Sequence, residues 1–391
     1  MKVLIVMPCY RPATRFGGPI GSVHSLAVAL RSLGHEVAVF ATNSNGPCDL
    51  PVALGVAHDI DGVQVTYFPV RWPRSYFRSP SLKEALRARA RGFDVGYLPW
   101  LYVYTTTAAA SEFTRQGVPF VISPRGMLDR KMIEKKGRLR KTAYLSLVGS
   151  RHFRRAAAIH FTSPLERDLS WARFDEARTW VIPNGLDIVA DLRPDRWPDP
   201  IAGLGRNRQV VLFLGRLSYI KGLDLLAAAW PLVARGAPLA HLVLAGPDDE
   251  HLYGPFQREI ARAGAHASVS YVGLVDDDQK AALMRRCVLL VAPSHSDSFG
   301  MSVLEAMSQG KPVVVSRHVG ISPEVEASGG GRVVASDAEE LASAILEIIH
   351  RPDMAREMGA SGKALVETRF SILAIARRME AALESVAKRA S

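Results

Sequence analysis

The stretch that most constrains this chain is Pro293 to Ser316, PSHSDSFGMSVLEAMSQGKPVVVS. The apolar run Val288 to Ala292 precedes it and reads as a buried strand. A short polar loop closes at Phe299-Gly300. Met301 to Ser308 then reads as a helix, and Gly310 suits its C-terminal cap. Pro312 to Val315 is a second apolar strand. Strand, loop, helix and strand in this order are the building block of a parallel sheet. Asp297 falls in the loop and Glu305 in the helix, with seven residues between them. The backbone N–H groups of the loop, at Ser298, Phe299 and Gly300, join the helix N-terminus in an electropositive spot suited to a phosphate or a sugar hydroxyl. A carboxylate beside such a spot can accept hydrogen bonds from hydroxyls. The spacing alone leaves open a plainer possibility, a loop that merely starts a helix with Glu305 solvated.

A chain of 391 residues exceeds one ordinary core, so two domains are expected. No apolar run reaches the roughly 18 residues of a membrane-spanning helix. MKVLIVMP reads as a first core strand rather than a signal peptide: the run is short, and Cys9, Arg11 and Arg15 follow without a small-residue cleavage site. Cys9, Cys48 and Cys287 lack metal-type spacing, which fits a reducing cytoplasm and argues against a zinc site. The net charge of +11 needs an explanation, and an anionic substrate, an anionic membrane or nucleic acid would each supply one.

The first half opens strand, loop, helix, strand: Val3 to Met7, the turn Phe16-Gly17-Gly18-Pro19-Ile20-Gly21, Ser22 to Ser32, and Val37 to Thr42. Glycines stand where backbone would approach a ligand, although a flexible turn explains them equally well and the GxGxxG dinucleotide pattern is absent. Strands follow at Val63 to Val70, Val95 to Leu98, Pro119 to Ser123 and Ala156 to Thr162, with a helix from Thr105 to Gln116. Ser163 caps a helix with Glu166 in capping-box style. The loop from Asp187 to Arg206 has several prolines and no periodicity and reads as a linker. The second half restarts at Val210 to Leu214, followed by Gly215-Arg216 and Lys221-Gly222, a helix from about Leu223 to Ala234, and strands at His241 to Ala245 and Val269 to Val272. Amphipathic helices close it at Glu339 to His350 and Ser371 to Lys388. Both halves alternate strands and helices, which argues for two doubly wound sheets facing a cleft.

Taken together, Gly215-Arg216-Leu217, Lys221-Gly222, Ala245-Gly246, Tyr271-Val272-Gly273, Pro293-Ser294, Asp297-Ser298-Phe299-Gly300, Glu305-Ala306-Met307 and Gly310-Lys311-Pro312-Val313 resemble glycosyltransferase family 4. Leu33-Gly34-His35-Glu36-Val37 and Ile182-Pro183-Asn184-Gly185-Leu186-Asp187 extend the resemblance to the first half, with the Gly17-Gly18 loop. Each motif alone is weak; their number and order are specific. The resemblance implies retaining, nucleotide-sugar-dependent enzymes of the GT-B fold. It implies an acceptor-binding Rossmann-like domain at 1–195, a nucleotide-sugar-binding one at 205–368, and a terminal helix at 369–391 crossing back to the first domain.

The implied roles agree with the chemistry. Expelling a nucleoside diphosphate needs positive charge, and Arg216 and Lys221 both follow a strand and precede a helix. They would stabilise the leaving group without a metal ion or other cofactor, the nucleotide sugar being a substrate. Glu305 resembles the family's ribose-binding carboxylate. Asp297 stands where the family usually has Glu at the donor sugar, and the shorter side chain puts the identity of that sugar in doubt. Gly17 and Gly18 would let the first loop approach the donor phosphates. Many relatives have His near the donor sugar after the strand that ends at Ser123, whereas this chain has Pro124-Arg125-Gly126, which places Arg125 among the expected donor-binding residues. Arg cannot act as a base at neutral pH, so Arg125 is read either as a contact for an anion or hydroxyl or as half of a structural salt bridge.

Other candidates fare worse. Asp276-x-Asp278 spells a metal-binding pattern but opens a helix, so Asp276 is read as an N-cap. His24, His35, His160 and His241 are scattered; His295 is the histidine near Asp297. Arg130 to Arg155 carries ten Lys or Arg against one Glu, mixed with Met132, Ile133, Leu139, Tyr144, Leu145, Leu147, Val148 and Phe153. Arg71 to Arg91 adds Trp72, Tyr76 and Phe77 to a second basic group. One such run would be a solvated face; two in the same half point to an anionic membrane surface. The expected protein is a cytoplasmic enzyme, peripheral on the inner face of the membrane. It would transfer sugar from a nucleotide diphosphate sugar to a cell-envelope glycan or lipid-linked acceptor, with no nucleic-acid partner. Another GT-B reaction, such as epimerisation, and a non-catalytic basic binding protein remain as alternatives.

Overall fold

The computed structural model describes residues 1–13, 15, 17–135, 137–188 and 196–388. Phe16 of the glycine turn, Lys136 of the basic run, and 189–195 of the linker, with the expected boundary at 195, lie outside the described residues. The chain divides into two compact units: Met1–Asp187 with Ile372–Ser391, and Ile188–Ser371.

The first unit is built on an eight-stranded sheet. Its spatial order is Thr179–Val181, Ala158–Phe161, Phe120–Ile122, Val95–Leu98, Lys2–Met7, Glu36–Thr42, Val63–Phe68 and Ala57–Ile60. All neighbours run parallel except the last pair. That antiparallel edge was not anticipated. It turns at Asp61-Gly62, both at positive φ, and an Asp-Gly pair between two extended runs is the signal that could have found it. Along the strand Lys2–Met7, Val3, Ile5 and Met7 enter one core and Leu4 and Val6 the other. This is the period-two pattern of a strand buried on both faces. The helix Gly18–Ser32 packs on the first face with Ile20, Val23 and Leu26, and the terminal helix Ile372–Ala387 joins it there with Ile375, Met379 and Leu383. The helices Pro80–Arg89 and Tyr104–Gln116 cover the other face through Leu82, Leu86 and Phe113. Side chains this deeply buried contribute about 1.5–3 kcal/mol each, which holds the helices in place.

The first helix starts earlier than the sequence suggested: Gly18 is its first residue and Gly17 precedes it at φ 61. Pro19 explains the shift, because its fixed φ and missing N–H suit the first turn of a helix. Ser163 does cap its short helix, accepting from the Glu166 N–H at 3.0 Å. The Glu166 carboxylate, however, turns away from Ser163 to other partners described below.

The second unit holds a six-stranded parallel sheet in the order Val269–Gly273, Ala240–Ala245, Gln209–Leu214, Leu289–Ala292, Val313–Ser316, Gly331–Val334. The strand Gly331–Val334 and the helix Pro352–Arg369 were missed. The helix is largely polar and carries Gly359 and Gly362, which weaken its periodic signal. Those glycines are there for packing: a Cβ on Gly359 would lie 2.0 Å from Gly310 O, and one on Gly362 3.3 Å from the Met307 side chain.

Candidate active site

In the second sheet the chain starts at Gln209–Leu214, adds strands on one side, then returns to add Leu289–Ala292 on the other. Ligands of open α/β sheets bind beyond the carboxyl ends of the strands at such a reversal. The loops leaving these two neighbouring strands carry the expected site residues. Residues 215–222 follow the first strand and 293–300 the second.

The two loops are tied together closely. The N–H groups of His295 and Ser296 both donate to Ile220 O, at 2.8 and 3.2 Å. The rings of Tyr219 and His295 stack at 4.7 Å, and His295 Nε2 meets the Asp224 carboxylate at 2.9 Å. Gly222, at φ 71, lies so close to the second loop that a Cβ would fall 1.9 Å from Pro293 O. The outcome is a direct ion pair: Lys221 Nζ donates to Asp297 Oδ2 at 2.6 Å, with the side chains 24% and 16% exposed. Arg216 is exposed and has no hydrogen bond or ion pair among the described residues. Two cations and a carboxylate therefore stand at the reversal point, with one cation unneutralised.

Asp297 is fixed by its backbone, its N–H donating to His318 O at 3.0 Å and its C=O accepting from Gly320 N at 2.9 Å. Its Oδ1 accepts from Phe299 N at 3.3 Å. Ser298 is half-buried, while the Phe299 ring is buried in edge contact with Phe370 at 6.0 Å, so the ring serves the core. Gly300 caps the helix Met301–Ser308 at φ 99, where a Cβ would lie 2.6 Å from Val319 Cγ1. Glu305 sits on that helix and is not merely solvated: Lys280 Nζ donates to its Oε1 at 3.1 Å and lies 3.7 Å from Asp277. Lys280 had no signal in the sequence. Asp276 is the N-cap of Lys280's helix in a full capping box with Gln279, as read.

In the first unit, Gly17 and Gly18 follow the strand Lys2–Met7 and Arg125 follows Phe120–Ile122, so both segments leave the carboxyl edge of their sheet. Arg125 Nη1 donates to Ser22 Oγ at 2.9 Å and Asn184 Oδ1 at 3.2 Å, and Nη2 to Tyr97 OH at 3.3 Å. All three partners are neutral, and no carboxylate among the described residues pairs with Arg125, so the salt-bridge reading is set aside. Its Nε is buried without a partner. Behind it, Tyr97 OH meets His160 Nδ1 at 2.9 Å while His160 Nε2 donates to Ile182 O at 2.7 Å. Burial lowers the His160 pKa to about 3, the backbone bond opposing and Arg125 reinforcing the shift.

Among the described residues, the group of side chains spaced to hold a metal ion is His35, Glu380 and Glu384, with ligand atoms within 4.8 Å. His35 precedes the strand Glu36–Thr42, at the sheet edge opposite the Arg125 loop. No described helix is long and apolar enough to cross a membrane.

Two family models match the chain: "Glycosyl transferase 4-like domain" over residues 17–185 and "Glycosyl transferases group 1" over residues 199–365. D-inositol 3-phosphate glycosyltransferase of Segniliparus rotundus is 32% identical over 49% of this chain and 43% of its own length. A lipopolysaccharide core biosynthesis mannosyltransferase, LpcC of Rhizobium leguminosarum, is 30% identical over 51% of this chain and 57% of its own. The chain thus spans about half the length of these two relatives. It matches 91% of glycogen synthase from Mycobacterium tuberculosis, at 25% identity over 95% of this chain. Among solved structures, sucrose-phosphate synthase from Thermosynechococcus elongatus superposes with a TM-score of 0.78 at 21% identity, covering 100% of both chains. HepE of Anabaena in complex with UDP-glucose gives 0.75 at 20% identity, over 98% of this chain and 100% of its own.

Proposed function

The chain belongs to the group 1 glycosyltransferases of family 4, with the GT-B fold of two α/β domains, and we propose that it transfers sugar from a nucleotide diphosphate sugar with retention at the anomeric carbon and without a metal ion. The observation that carries this reading is the Lys221–Asp297 pair beside unpaired Arg216 at the reversal point of the second sheet. Arg216 and Lys221 neutralise the departing diphosphate, the role a divalent ion plays elsewhere. Asp297 is then free to accept from donor-sugar hydroxyls and Glu305 from the ribose, each exchanging a lysine ammonium for a hydroxyl. As the bond from anomeric carbon to phosphate oxygen breaks, the acceptor oxygen bonds to the same face of that carbon. Its proton passes to the departing phosphate oxygen, so no protein base is needed.

The acceptor is a cell-envelope glycan or lipid-linked sugar bound by the first unit, where Arg125 contacts an anionic group or hydroxyl. Support comes from the neutral partners of that guanidinium and from the lipopolysaccharide role in the name of the Rhizobium relative. The basic runs support attachment to an anionic membrane: Trp72, Leu139 and Leu147 are 84%, 86% and 76% exposed among arginines and lysines. Screening UDP-, GDP- and ADP-sugars by thermal stabilisation tests the donor, because a ligand at 100 times its Kd adds about 2.7 kcal/mol. A UDP-sugar is the first candidate, given the ligand held by the Anabaena structure. Absence of any shift with all three classes, and with the free nucleoside diphosphates, refutes the proposal.

A further inference from the structure

The backbone that presents Arg125 is a tight turn, Pro124 to Met127, closed by Met127 N donating to Pro124 O at 3.1 Å. Arg125 has φ 49 and Gly126 φ 81. Two successive positive φ values are the pattern of a type I′ turn, in which Gly, Asn and Asp dominate. A long, β-carbon-bearing arginine at the first central position is strained and persists only where its surroundings over-determine it.

Glu166 supplies that constraint. It comes from the helix Pro164–Asp168 and is 6% exposed. Its Oε1 accepts from Gly126 N at 2.6 Å, and its Oε2 accepts from the Thr162 N–H and hydroxyl, both at 2.7 Å. Trp171 N to Leu128 O and Arg130 N to Leu169 O hold the far end of the segment, so Glu166 holds the end that bears Arg125. A neutral carbonyl would have satisfied Gly126 N. Instead an ionisable carboxyl is buried, whose charged form is costly unless opposite charge is near. Burial holds the Glu166 pKa above the ordinary carboxylate range, and its hydrogen bonds and the Arg125 guanidinium oppose that shift without cancelling it.

We propose that Glu166 is a positioning residue for Arg125. It locks the strained turn through Gly126 without contacting the guanidinium itself. Arg125 thus keeps a fixed direction without a salt bridge that an incoming anion would have to break. This rests on the reading of Arg125 as a ligand contact, and the experiment separates the two.

The test is phenylglyoxal labelling of the full chain, followed by peptide mass spectrometry in the wild type, Glu166→Gln and Thr162→Val. Arg178, whose guanidinium is held by the carbonyls of Phe153, Arg154 and Ala156, is the internal reference. Glutamine can accept from only one of the two N–H groups and turns a donor towards the other. Labelling of Arg125 should rise about fivefold in Glu166→Gln and less in Thr162→Val, with Arg178 unchanged, if the contacts act as one network. Thr162→Val removes only a hydroxyl and carries the test if Glu166→Gln does not fold. Equal Arg125 labelling in all folded variants overturns the proposal. A second arm measures UDP-glucose hydrolysis in a double-mutant cycle. Glu166→Gln should cut kcat/KM about tenfold with Arg125 present but under about twofold in an Arg125→Ala background, and multiplying losses count against the proposal. Fast labelling in Glu166→Gln together with full activity in Arg125→Ala keeps the positioning role and removes Arg125 from the site.

Discussion

Gly222→Ala probes whether the two loops must touch for Lys221 to reach Asp297. The added Cβ would lie 1.9 Å from Pro293 O, a backbone atom that cannot rotate away. Restoring an ordinary contact near 3.4 Å requires the loops to separate by about 1.5 Å, an overpacking cost of about 1–3 kcal/mol. The left-handed φ of 71 adds about 1–2 kcal/mol for a residue with a Cβ. The total, about 2–5 kcal/mol, corresponds to a melting point lower by about 4–20 °C for a unit of this size. The same displacement pulls the Lys221 and Asp297 side chains out of their 2.6 Å contact. A misplacement of about 1 Å at a reacting centre can cost 100-fold in rate, so transfer should fall by about that much even below the melting point. Gly215→Ala is the matched control: earlier in the same loop, its Cβ would meet nothing nearer than Lys221 Cε at 4.0 Å. Differential scanning fluorimetry and steady-state transfer kinetics on both variants give the answer. If Gly222→Ala melts within 2 °C of Gly215→Ala and turns over at the same rate, loop contact does not organise the site and the reasoning fails.

Glu305→Gln keeps size but loses charge-assisted acceptance, worth about 1.5–3 kcal/mol, so donor affinity or turnover should fall roughly tenfold or more; unchanged kinetics in a folded variant remove Glu305 from the site. Excess EDTA should leave transfer intact while Arg216→Ala lowers it by about 100-fold or more; loss of activity in EDTA that Mg²⁺ restores would falsify the metal-free account. His160 stays neutral in the folded state down to pH about 3, whereas the unfolded chain takes up its proton below about 6.5. Stability is therefore flat for this group above 6.5 and is lost as pH falls from 6.5 towards 3. By pH 4.5 the loss is on the order of 2 kcal/mol, and urea midpoints of His160→Gln should show a shallower acid limb than the wild type. Vesicle co-sedimentation should show binding to anionic but not neutral lipid, at about 1 kcal/mol per basic residue near the surface, and release at high salt; indifference to lipid charge leaves the +11 to soluble anions.

Local patterning was enough to read much of this protein. The strand, helix and strand around Asp297 and Glu305, the capping of Asp276, and the alternation that gives two α/β units each depend on residues within a turn or two of one another. Hydrophobic period and cap chemistry act at that range. Pairings across long sequence separations were not legible. Lys221 and Asp297 are 76 residues apart, Lys280 and Glu305 25, and Gly126 and Glu166 40. Each meets because parallel strands are joined by whole crossover units, so neighbours at the sheet's carboxyl edge are distant in sequence. Sequence named Lys221, Asp297 and Glu305 separately; only the order of strands in the sheet determined that a lysine closes on each carboxylate. Arg125 shows the same division. Its residue type excluded a base, but only the folded environment of Ser22, Asn184 and Tyr97 decided that its charge meets neutral partners instead of a carboxylate.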